Sequence, residues 1–80
     1  MNESVLVVIA RFPDRSHAIE DLARVDEEFR SHCADLAEAE AAMVRWGRSS
    51  LPVKDARCAE YRDLANDLAI ELKAALDRHL

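Results

Sequence analysis

The stretch from Val53 to Leu80 constrains this chain more than any other, because no glycine or proline interrupts it after Pro52. Its apolar residues Val53, Tyr61, Leu64, Ala65, Leu68, Leu72, Ala75 and Leu76 recur at three- and four-residue steps, as one face of an amphipathic helix requires. Lys54, Asp55, Glu60, Arg62, Asp63, Asn66, Asp67, Lys73 and Asp77 occupy the opposite side. Water solvates that side, and something must cover the other.

Little chain is left to do so. A domain of 80 residues buries only about 60% of the surface its unfolded form exposes. A single core of that size seldom supplies more than about 3–5 kcal/mol, so small proteins recruit disulfides, a metal or a partner chain. An oligomer is therefore expected. One glycine and two prolines are too few to punctuate a many-stranded sheet, and only four residues are aromatic. That vocabulary of alanine, leucine and valine predicts an all-α fold.

Residues Ser4 to Phe12 are nearly continuously apolar and rich in β-branched side chains. On propensity alone they suit a strand, which would have to pair with its own copy across a dimer axis. A short helix docked on the others is the favoured reading, ended by Pro13, with Asp14 capping the next helix and Ile19, Leu22 and Ala23 facing inward. Between Asp14 and Trp46 the series Leu22, Val25, Phe29, His32, Leu36, Ala39, Met43 and Trp46 also steps by three and four. Asp26 with Glu27 and Glu28 has the form of an N-cap followed by an acidic first turn, so a break is expected near residues 25–26, with one straight helix as the runner-up. Gly47 reads as a left-handed helix terminator, and Ser49, Ser50 and Pro52 mark the turn over 47–52.

A connection so short makes the helices of 14–46 and 53–80 antiparallel neighbours. At 1.5 Å per residue the second helix is roughly two turns longer than 27–46, and residues 14–24 are placed to cover the overhang. The expected architecture is thus all-α: one domain, an antiparallel helical hairpin with a short N-terminal helical segment over 4–12, paired into a dimeric helical bundle. Leu64, Leu68, Leu72 and Leu76, with Ile70 and Trp46, are the expected interaction surface. The outline resembles small Rop-like four-helix dimers, and no motif is carried over from that likeness.

The chemistry-bearing residues are few. Cys33 and Cys58 stand about 10 Å out of register in such a hairpin, too far for a disulfide, and read as free thiols. No CxxC or Cys/His cluster supports zinc. Glu28, His32 and Asp35 share one helix face and are weak metal candidates, set against the plainer reading of a helical pair and a solvated acidic face. His32 is also a candidate pH-sensitive group at a dimer interface, whereas His17 and His79 read as surface residues. Trp46 and Tyr61 are expected to anchor the turn end of the core. Arg45, Arg48, Lys54 and Arg57 form the one basic concentration, an anion candidate whose plainer reading is a solvated turn balancing the helix ends.

The formal net charge is −5, without a lysine or arginine run, which argues against phosphate-backbone binding. The apolar run Val5 to Ala10 is far short of a membrane span and lacks signal-peptide flanks, so cytoplasmic residence is expected. No phosphate loop, nucleophile elbow or HExxH motif is present. The expectation is a non-enzymatic homodimeric protein-interaction module without cofactor, open to a further protein partner. A small-molecule or metal-binding regulatory bundle is the alternative, and nucleic-acid binding through the basic turn ranks last.

Overall fold

In the computed structural model, which describes residues 2–79, the β-branched N-terminal segment is a helix, α1, spanning Glu3–Arg11. The Asn2 side chain accepts a hydrogen bond from the Ser4 amide at 2.7 Å and caps it. Val5 and Val8 bury one edge, and Ile9 and Phe12 pack beside them. Burial of this stripe outweighs the modest helix penalty of β-branched residues. Phe12 then leaves helical geometry, as a residue before proline tends to.

Pro13–Arg15 form a single 3-10 turn, and α2 follows over Ser16–Val25. Asp14 is therefore not the cap of α2. The fixed φ of Pro13 suits the first position of a tight helical turn, which draws Asp14 inside it and leaves Arg15 at the cap position without a side-chain cap bond. One residue separates α2 from α3, Glu27–Gly47. Asp26 is extended; its amide donates to the Leu22 carbonyl at 2.9 Å, and its carboxylate accepts from the Phe29 amide at 3.1 Å. The Arg30 guanidinium donates to the Ala23 carbonyl at 2.6 Å, satisfying an acceptor that the end of α2 would otherwise leave open. The three-and-four series consequently fails at Val25, which is 77% exposed.

After a turn in which the Leu51 amide donates to Ser49 Oγ, α4 covers Lys54–Arg78. Residue 80, at the end of the expected last helix, lies outside the described residues. Gly47 closes α3 at negative φ, so the expected left-handed terminator is not used; Arg48, also right-handed, donates its amide to the Arg45 carbonyl at 3.2 Å, and the Ser49 amide donates to the Trp46 carbonyl at 3.0 Å. Among the described residues there is no strand, and the four α-helices pack as a bundle. The most extensive packing joins α3 to α4. Cys58 lies against Met43, and Arg78 lies near His32 and Phe29.

The core is lopsided. Its largest sealed side chains are Phe29, Ile19, Leu36, Leu72, Leu76, Val8 and Cys33. Between residues 39 and 69 only alanines are buried, namely Ala39, Ala42, Ala65 and Ala69. Trp46 and Tyr61 are half-buried and outside the core, a correction to their expected role as anchors. The reason is layering. Helix α2 lies over the far end of α4 while α1 packs on α3, leaving the Tyr61–Leu68 stretch of α4 with α3 as its main neighbour. On α3 the buried line runs through Cys33 rather than His32, because that helix is wedged between α1 and α4.

The result is elongated, 46 × 22 × 22 Å, with a radius of gyration of 13.6 Å where about 11.6 Å is usual for this length. The accessible surface, 5349 Å², exceeds the roughly 4,850 Å² typical of a 9.0 kDa monomer.

Candidate functional site

Where α4 lacks a third layer, α3 and α4 leave a groove of about 270 Å³. Ala39 and Ala42 bring the floor close, since a methyl group fills little of the space between two helices. Tyr61, Leu64 and Leu68, at helical spacing on α4, form one wall. Asp35, Glu38 and Arg45 rim the α3 side. Leu64 is 46% exposed, whereas Leu68 is partly covered and packs against the core.

The expected interaction residues divide accordingly. Leu64 and Leu68 lie in the groove. Leu72 and Leu76 do not: both are fully buried in one cluster with Ile19, Leu22 and Phe29, so they are core, not surface. Residues 14–24 were expected to cover this end of the last helix, and α2 supplies the covering side chains. Ile70 is 67% exposed and lies outside the groove, and Trp46 does not line it either.

The basic residues are not held as one cluster by any shared partner. Arg57 pairs with Glu60 at 2.8 Å, and Arg45 belongs to the groove. Arg48 is exposed and Lys54 half-buried near the turn, neither in an ion pair among the described residues. Glu28, His32 and Asp35 remain on one side of α3, but among the described residues no three His, Cys, Asp or Glu side chains converge as a metal centre requires. His32 lies near Glu71, Ala75 and Arg78, beyond the groove.

Cys33 and Cys58 are both free. Burial pushes the Cys33 thiol up to about 11, since a thiolate there would be stripped of water. Cys58 is half-buried, with Sγ 3.8 Å from the Met43 carbonyl oxygen. At the opposite end Asp77 accepts from Arg15 at 2.9 Å and Lys73 at 3.2 Å, and these hydrogen bonds hold its carboxyl below the ordinary carboxylate range. Arg11 donates to Glu40 and to Asn66, each at 2.9 Å, and so joins α1 to both long helices.

Sequence spacing alone did not single out the groove. By sequence Asp35 is a metal candidate and Arg45 an anion candidate, and their shared place beside Leu64 appears only once α3 and α4 are docked. The recoverable signal was the pair of runs 35–38–42–45 and 61–64–68, each at helical spacing.

No helix among the described residues is long and apolar enough to cross a membrane. In comparisons with protein-family models, with curated proteins and with solved structures, nothing matched this chain.

Proposed function

We propose that this chain is a non-enzymatic interaction module whose working form is a homodimeric helical bundle, two antiparallel α3–α4 hairpins packed face to face. The observation that carries the reading is the groove: half-exposed Leu64 beside an alanine floor, in a molecule with more surface than its mass calls for. Apolar area of this kind is stabilised by contact with more apolar area, at roughly 25 cal/mol per Å² removed from water. A second copy would turn the two-helix end into four helices, the arrangement in which such stripes are ordinarily closed. Two free thiols are in keeping with a reducing, cytoplasmic setting.

Leu64→Asp tests this. The side chain is exposed enough for the helices to survive the change, so circular dichroism keeps its helical signal while sedimentation velocity moves from dimer to monomer. A wild-type protein that sediments as a monomer at every concentration and still melts cooperatively overturns the reading.

A small-molecule regulatory role is the second reading, supported by Arg45 and Tyr61 at the groove. Its volume, about 270 Å³, sits just under the roughly 300–1,000 Å³ of ordinary ligand pockets. A ligand-dependent thermal shift with a metal or metabolite panel, lost in Leu64→Asp but not in His32→Ala, would favour it with the groove as the site. Binding of nucleic acid through Arg48 and Lys54 stays the last reading, tested by salt-sensitive retention on RNA or DNA.

A further inference from the structure

The groove carries its own complement. Arg11 bonds both Glu40 and Asn66, so these two residues mark one level along the α3–α4 pair. Asp35 lies five residues before Glu40 and Arg45 five after it, each about 7.5 Å from that level. On α4, Tyr61 and Leu68 flank Leu64 at three and four residues, close to the same level. Acid and base on one helix, aromatic and aliphatic on the other, are thus balanced about a common line. Asp35, Glu38 and Arg45 form no ion pair among the described residues, and the two acids are one helical turn apart, where like charges repel.

We propose that the occupant of the groove is a second copy of this chain, related by a two-fold axis crossing the helices at the level of Glu40 and Leu64. This inference rests on the homodimer reading and specifies its register. The axis sets α3 antiparallel to the partner's α3 and α4 antiparallel to the partner's α4. Asp35 of each copy then faces Arg45 of the other, twice, and Tyr61 of each packs beside Leu68 of the other, with the two Leu64 side chains at the centre. An isologous contact requires such self-complementarity.

Two alternatives fare worse. A two-fold axis parallel to the helices lays α3 over the partner's α4 and brings the Asp35 end of α3 over the Glu71 end of α4, acid on acid. The other apolar groove, between α1 and α3, is rimmed by Glu3, Glu38 and Glu40, of which only Glu40 has a cation, Arg11, so two copies meeting there bring the acids Glu3 and Glu38 together without the Asp35–Arg45 kind of reciprocity.

The test exploits the reciprocity. Asp35→Arg leaves two arginines at these positions and Arg45→Asp leaves two aspartates, and both sites are exposed, so each variant keeps its helical content. In sedimentation velocity each variant alone is expected to dimerise about tenfold more weakly than the wild type, because both pairs become like-charged. Mixed together, the two are expected to form a heterodimer at least as tight as the wild-type dimer, seen by native mass spectrometry, and the double variant Asp35→Arg/Arg45→Asp regains the homodimer. A wild-type dimer indifferent to the single reversals, or a mixture no tighter than its components, overturns this register and leaves self-association standing. A wild-type monomer removes both.

Discussion

Cys33 and Cys58 show how placement decides the chemistry of one residue type. The thiolate is the reactive species, and with its pKa near 11 Cys33 holds almost none at neutral pH. Iodoacetamide at pH 8 is therefore expected to label Cys58 first and Cys33 only on unfolding, as peptide mass mapping over time would show. Gly47 makes a second case at this scale. It closes α3 without a positive φ, and an added Cβ would meet nothing within 4 Å. Gly47→Ala should thus stabilise the protein by about 0.4–1 kcal/mol, chiefly by narrowing the unfolded ensemble, read as a higher urea midpoint. A destabilised variant would mean that the turn needs glycine's freedom after all.

The elements are joined by a few polar contacts at their ends. Arg15 on Asp77 ties the 3-10 turn to the last turn of α4, where Lys73 of the same helix pairs with Asp77 as well. Because the carboxyl of Asp77 is held below its ordinary value, the folded state binds its proton less readily than the unfolded chain does. Its stabilising contribution is complete above the unfolded pKa, near pH 4, and is lost as the pH falls through the folded pKa. Asp77→Asn should be less stable than the wild type at pH 7, and the difference should close as the pH falls below the ordinary carboxylate range, near 4. Urea titrations of both proteins across that range measure it; a gap that persists at low pH would assign the loss to packing. The Asp77 side chain is half-exposed, so screening by salt should shrink the same gap.

At the scale of the whole molecule, one end is a core and the other a pair of helices. Phe29 is the largest sealed side chain and sits where α2, α3 and α4 meet. Phe29→Ala should cost about 3–5 kcal/mol, comparable with all that a core of this size supplies. The expected outcome is loss of the cooperative thermal transition in circular dichroism, whereas Leu64→Asp, at the thin end, keeps it. Equal damage from both substitutions would argue against an uneven core.

The all-helical class was legible in the sequence because it is a local property. Three- and four-residue apolar steps, one glycine, and an Asp26-Glu27-Glu28 restart act within a turn or two of backbone. The apolar steps along α4 were legible too, but not which of its leucines would be covered. Leu64 and Leu76 occupy one stripe of that helix, yet one is half-exposed and the other sealed. Burial depends on where α2 reaches, which follows from the Asp26 break and the Pro13 turn together. The meeting of Asp35, Arg45 and Leu64 in one groove likewise belongs to the docking of α3 on α4, since spacing along a helix sets a residue's face and only a second helix gives that face a neighbour.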